Sequence, residues 1–395
     1  FTFTANSRLT VGVGGVHALT PAILTLKDHP NDWGTTPPDG YTAFATVDLP
    51  DPGIDPNKNE NPTDYFNTVL YSGNGTARSI SGVGFQPAWV WFKNRSRTNN
   101  HLLYDSVRGA TKTLRSDNTN EESTNTGKLT SFDSDGFSLG TDNNPNRSGD
   151  TFVAWNWKAG GSASSNSDGS ITSNVSVSTE AGFSILTYTG TGSVATVGHG
   201  LDKAPKMVIA KKRNDDGDTR GWAIFHESLT SGKGLRLDLN SAEFNANGFW
   251  NSTAPSATVV TLGSGQETNQ SADTYVMYCF SEVDGYSSVG SYLGTGGSDG
   301  QFVYTGFRPA WLLVKPASGA TDHWRIYDSK RLGYNNGNKL LYADLNNAEP
   351  GSSDSLDLLS NGFKLTVTDS AVNGDGVSYI YLAFAEQPFK YANAR

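Results

Sequence analysis

The stretch "GFQPAWVWFKNRS" (residues 84–96) returns as "GFRPAWLLVKPAS" (residues 306–318), with a looser version, "GLDKAPKMVIAKKR" (residues 200–213), between them. Further landmarks follow in the same order. The first copy runs "VLYSGNG", "HLLYDSVRG", "SFDSDGFSLG" and "DTFVAWNWK"; the third runs "HWRIYDSKRLG", "LLSNGFKLT" and "VSYIYLAFAE". The middle copy carries "FSILTYTGTG", "WAIFHESL", "FNANGFW" and "DTYVMYCFSEV". A chain that repeats one succession of landmarks three times folds as three related units.

The landmarks read as strands and turns. "AWVWFK", "KMVIAKK" and "AWLLVK" are short β-branched and aromatic runs that begin after a proline and end on lysine, as core strands do. "DGF" and "NGF" are turn signals that hand the chain to the next strand. The closing runs alternate with bulk on both faces, the pattern of a central strand covered on each side. No long segment has helical periodicity. The expected fold is all-β: tandem antiparallel β-sandwich-like, jelly-roll-like modules at residues 66–160, 182–287 and 288–395. Residues 161–181 read as a polar linker with too little apolar content to pack alone, and residues 1–65 as an extended N-terminal arm or attachment segment.

Composition narrows the partners. The 395 residues carry 30 basic and 39 acidic side chains, a formal net charge of −9, with 9 Trp, 16 Tyr, 19 Phe and 44 Gly. The negative balance predicts no nucleic-acid partner, and no apolar run is long enough for membrane insertion. The single cysteine, Cys279, excludes a disulfide within the chain and reads as a small buried hydrophobe.

The search for chemistry finds no catalytic residue, and a non-enzymatic protein is expected. Ser106 and Ser329 in "YDS" lack an elbow motif, so Asp105 and Asp328 are expected to accept backbone N–H groups or to pair with Arg108 and Arg331. His101 and His323, at similar places in their copies, read as structural. Asp133 and Asp135 in "DSDG" leave open a structural calcium site, the only cofactor considered; no metal is otherwise assigned. "NDDGD" at residues 214–218 also gathers acids but completes no calcium loop. Trp250, in "NGFWNSTAPS", is the first choice for an exposed recognition aromatic, with Trp222 beside it.

With these motifs in hand, "GFQPAWVWFKNRS", "NHLLYDSVRG", "SFDSDGFSLG" and "FVAWNWKAGG", with "FSILTYTGTG" and "VGHGL" after them, resemble a family of uncharacterised virion-associated proteins of tailed bacteriophages, especially marine ones. The resemblance covers most of residues 66–287; the third copy is a more distant echo. It implies a virion structural protein, a tail fibre or particle appendage component, located in the virion. The implied partners are other phage virion proteins and further copies of the chain, a trimer by family analogy. The alternatives are a lectin-like protein binding host-surface polysaccharide, a capsid decoration protein and a polysaccharide-degrading enzyme. The family supplies no catalytic residue to carry over.

Overall fold

The computed structural model describes residues 49–392 apart from 215, 332–334, 336–338 and 352–354. Residues 1–48, most of the expected N-terminal arm, lie outside the described residues. The first module runs β1 (Phe66–Ser72), β2 (Arg78–Ser81), β3 (Trp89–Asn94), β4 (Leu102–Asp105), β5 (Lys112–Thr113), β6 (Ser123–Thr124), β7 (Leu129–Asp133), β8 (Gly136–Leu139), α1 (Asn143–Asn146) and β9 (Thr151–Trp157). The second runs β10 (Ser164–Asn166), β11 (Ser173–Ser178), β12 (Phe183–Thr189), β13 (Ala195–Gly198), β14 (Met207–Lys212), β15 (Ala223–His226), β16 (Lys233–Arg236), β17 (Phe244–Asn245), α2 (Asn247–Trp250), β18 (Val259–Leu262), α3 (Gln266–Asn269) and β19 (Thr274–Phe280). The third runs β20 (Ser287–Leu293), β21 (Phe302–Tyr304), β22 (Phe307–Ser318), β23 (Arg325–Asp328), β24 (Leu341–Tyr342), β25 (Leu356–Leu359), β26 (Gly362–Leu365), α4 (Ser370–Asn373) and β27 (Ser378–Pro388).

The chain is mostly antiparallel β-sheet, and one strand order is written three times. The main sheets contain β1-β9-β3-β4, β12-β19-β14-β15 and β20-β27-β22-β23, so the last strand always lies between the first and the post-proline strand. Register agrees: Trp89 faces Trp157, Met207 faces Phe280 and Trp311 faces Phe384. A smaller sheet accompanies each main sheet, β2-β8-β7, β13-β18 and β21-β26-β25. The bulk on both faces of the inner strands has a reason. One face packs with the smaller sheet, as Val90, Phe92 and Ala154 do with Ile80 and Phe137. The other face joins a common core that takes Trp89, Trp91, Trp155 and Trp157 from module 1, Ile209, Tyr278 and Phe280 from module 2, and Trp311, Leu313 and Phe384 from module 3.

Two sequence features fix each module. The "GxG" after the first strand is required by crowding: a Cβ on Gly73, Gly190 or Gly294 would lie 2.2, 2.3 or 2.2 Å from a backbone carbonyl oxygen. The short helix before the last strand ends in a fully buried asparagine, Asn146, Asn269 or Asn373. Its amide donates to two carbonyls and its oxygen accepts a backbone N–H from the "GxG" loop, as Asn269 does with Ser193, Gly263 and Thr191. Buried backbone groups need such partners.

Two expectations change. Residues 161–181 are more than a linker: β10 and β11 add to the edge of β12 and extend that sheet to eight strands. The alternation in "SNVSVS" allows this, because Val175 enters the second module's core. "FNANGFW" is not the counterpart of "SFDSDGF" either. Gly248 stands where Gly127 does, beneath Gly263 and Gly140 respectively, and the strand matching β8 is β18.

Candidate functional site

The lysine that closes each of the runs "AWVWFK", "KMVIAK" and "AWLLVK" points out of its module. Lys93 donates to Asn346 O of module 3 (3.2 Å), Lys211 to Thr119 O of module 1 (3.0 Å), and Lys315 to Ser241 O of module 2 (2.9 Å). The same directed pattern recurs one strand on. His101 Nε2 bonds Tyr342 O (2.8 Å), Trp222 Nε1 donates to Arg115 O (2.7 Å) and Trp324 Nε1 to Arg236 O (2.8 Å). It recurs a third time in the backbone, where the N–H groups of Glu349, Glu122 and Glu243 donate to the carbonyls of Arg95, Arg213 and Ala317. Module 1 leans on 3, 3 on 2 and 2 on 1. A heterologous contact repeated in this sense closes into a ring.

His101 is therefore the counterpart of Trp222 and Trp324; His323 stands one position earlier, bonded to Asp344. Trp91 Nε1 donates to His101 Nδ1 at 2.7 Å, so Nε2 carries the ring proton and donates across the junction. Burial holds the His101 imidazole well below its ordinary pKa.

The aspartates of "YDS" behave as expected. Asp105 accepts the backbone N–H groups of Val107 and Arg108 and pairs with the Arg108 guanidinium; Asp328 does the same with Lys330 and Arg331. Each pair is extended by the neighbouring module. Glu122 bridges Arg108 (3.1 Å) and Arg213 (2.9 Å), and Tyr278 Oη donates to Asp105 (2.7 Å). Glu349 bridges Arg331 (3.2 Å) and Arg95 (2.8 Å), and Trp155 Nε1 donates to Asp328 (2.9 Å). The third junction keeps the glutamate, Glu243, and replaces the other three. His226, Leu229 and Ala317 occupy the places of the aspartate and the two arginines. His226 Nε2 meets Tyr381 O at 3.2 Å, and Glu243 accepts from Thr230.

Burial pushes the ammonium pKa of Lys93, Lys211 and Lys315 down to about 8, from 10.5. Between those values the unfolded chain binds more protons than the folded one, so stability rises with pH there, by up to about 1.4 kcal/mol per pH unit for each lysine. Above pH 10 the sign reverses, because burial holds Tyr278, Tyr286 and Tyr292 well above their ordinary 10.0 and the unfolded chain then loses protons that the folded one keeps. Denaturant midpoints should climb from pH 8 towards 10 and fall beyond it. A climb as steep in Lys93→Met and Lys211→Met as in wild type would remove the lysines as its cause.

The residues singled out as sites are placed differently from the expectation. Trp250 is 3% exposed and Trp222 0%, so neither is an exposed recognition aromatic. Trp250 packs in the second core and donates to Ile224 O, while Trp222 secures a junction. Asp133 accepts from the hydroxyls of Ser131 and Ser138, and Asp135 from the N–H groups of Gly82 and Gly84, so each carboxylate oxygen is engaged in one hydrogen bond within the module. Two acids of "NDDGD" already hold a cation: Lys212, buried, lies 3.1 Å from Asp216, 3.2 Å from Asp218 and 2.9 Å from Asp273. Among the described residues no group of three or more His, Cys, Asp or Glu is placed to hold a metal ion, and no helix is long and apolar enough to cross a membrane.

One open cleft, about 800 Å³, lies where β11 and the segment before it face module 1. Tyr65, Gln86, Ser106, Phe132, Lys158 and Glu180 contribute side chains to it. Tyr65 Oη donates to Glu180 at 2.9 Å, and Lys158 Nζ stands 5.1 Å from the Tyr65 ring centre. Gly160 lets its segment pack against Val177 within the lining, since a Cβ there would lie 1.9 Å from Val177 O. Sequence reading missed this site, because the "linker" that walls it has no counterpart in the other copies.

Fold and junctions define an antiparallel β protein whose three modules close into one ring, with an open cleft beside the inserted strands. Residues 61–388 match the model of a domain of unknown function, DUF7483, and the chain belongs to that family; the matched span takes in all three modules. No curated protein and no solved structure matches the chain.

Proposed function

We propose that this chain is a structural component of a tailed-phage particle, a tail fibre or appendage part that resides in the virion and binds other virion proteins. The observation that carries the reading is the use of its recurring polar groups. The lysines, the aromatic N–H groups and the Asp–Arg–Glu sets that invite a catalytic reading are engaged in joining one module to the next. Such a chain is built to hold a shape. Each module is read as sandwich-like, in the jelly-roll-like manner, because its smaller sheet and main sheet share one apolar cluster. Self-association on the particle, as a trimer, is part of the proposal.

Lectin-like recognition of a host-surface glycan is the second reading, and the cleft favours it. A polysaccharide-degrading activity fits less well, because the cleft lining carries one carboxylate among the described residues, Glu180, and glycosidic cleavage ordinarily uses two. Localisation tests the main reading. Antibody-labelled intact particles imaged by cryo-electron microscopy should carry the label on a tail appendage. Label spread over the capsid would replace that reading with decoration, and particles without label would end the virion proposal.

A further inference from the structure

We infer that the cleft walled by Tyr65, Phe132, Lys158 and Glu180 binds a short neutral saccharide; the inference rests on the second reading above and not on the first.

Three observations support it. The first is where the cleft comes from. Among the described residues, modules 1 and 3 leave the outer edge of β1 and β20 without an added strand, whereas module 2 adds β11 and β10 outside β12. The fold of the repeat does not need that addition, since the other two copies form without it. What it creates is the far wall of the cleft, Val177 to Glu180, opposite Gln86 and Ser106 of module 1.

The second is the state of the lining groups. Glu180 is exposed and, among the described residues, in no ion pair; one of its oxygens accepts from Tyr65, which fixes the carboxylate and leaves the other oxygen available to a ligand. Lys158 likewise makes no ion pair with a described residue, its ammonium held near the Tyr65 ring. The exposed hydroxyls of Ser106, Ser162 and Thr179 line the same space. At two of the junctions charged groups are paired across the modules. Here a cation and an anion stand in one cleft without bonding each other.

The third is what such a set recognises. Donors and acceptors beside an aromatic surface, the half-buried Phe132 ring, match a ligand that offers hydroxyls around an apolar ring face. A lipid would need a larger apolar lining, and a polyanion meets Glu180 and a chain of net charge −9. The volume of about 800 Å³ lies within the range of small-ligand sites.

The test is isothermal titration of the whole chain with neutral tetrasaccharides, an α-glucan, a β-glucan, a mannan and a galactan, and with tetragalacturonate as the acidic comparator. At least one neutral probe should bind, and Lys158→Met and Glu180→Gln should each weaken it about tenfold or more. Neither side chain is fully buried, and the amide oxygen introduced by Glu180→Gln can still accept from Tyr65, so unchanged thermal midpoints will show that the fold is intact. No binding of any probe at 10 mM-scale concentration, roughly the weak limit of useful affinity, overturns the inference. Binding of the acid alone, sensitive to Lys158 only, overturns it as well. Saccharide binding untouched by both substitutions places recognition elsewhere: the lectin-like reading then stands while the cleft assignment falls.

Discussion

Arg331→Leu is expected to destabilise the protein by about 3–5 kcal/mol, because it strands Asp328 and Glu349 as buried carboxylates beside a single remaining arginine, Arg95. Breaking one partner of a buried cluster costs far more than the cluster contributes relative to an apolar replacement. The protein itself contains most of that replacement, since the third junction has His226, Leu229 and Ala317 at the corresponding places and keeps only its glutamate, Glu243. Converting the set together, Arg95→Ala, Asp328→His, Arg331→Leu and Glu349→Gln, is therefore expected to recover at least half of the loss. Urea denaturation of the single and fourfold variants measures both. A loss below about 1 kcal/mol in the single variant, the range of exposed pairs, would mean that the cluster is effectively solvated. A fourfold variant worse than the single one would mean that the third junction depends on more than these residues.

The second large effect concerns the common core. Phe384→Ala is expected to cost about 3–5 kcal/mol. Its ring centre lies 5.3 Å from Phe66 and 5.7 Å from Trp157 of the first module, 6.0 Å from Phe280 of the second, and 6.0 Å from Trp311 of its own. Because one ring touches all three modules, amide hydrogen exchange should accelerate in β9, β19 and β27 together. Acceleration confined to β27 and its neighbours would show that the modules open independently, and that the shared core does not couple them.

The repeat, most of the strands, the turns of "SDGF" and "SNGF" and the antiparallel β class could be read from the sequence, because each depends on local periodicity and on glycine or proline, although "NGFW" of the second module forms α2. Asp105 with Arg108 and Asp328 with Arg331 could be read for the same reason, being three residues apart on one turn. Partners across modules could not. Nothing near Lys93 announces Asn346, and the runs ending in lysine look alike whether the ammonium meets water or a neighbouring carbonyl. Trp250 misled because the polar residues after it read as an open loop, while Phe249 and Phe225, which pack beside it, lie before it or in another strand. Asp216 and Asp218 of "NDDGD" complete no calcium loop in the sequence, but their cation, Lys212, could not be read, because it is counted with the strand.

The described ends of the chain also meet. Lys390 pairs with Asp51 at 2.7 Å, and Tyr391 bonds both Asp55 and Asn57, so the segment that precedes module 1 is fastened to the close of module 3. A ring assembled from three identical chains must make every junction alike, and any change is copied three times. Fusion into one polypeptide lifts that constraint. One junction carries an imidazole and apolar side chains where the other two hold buried ion pairs, and one module carries added strands that the other two lack. A threefold body that is a single gene product can thus face a neighbour with three different sides, and so has a defined orientation where a true trimer would have none.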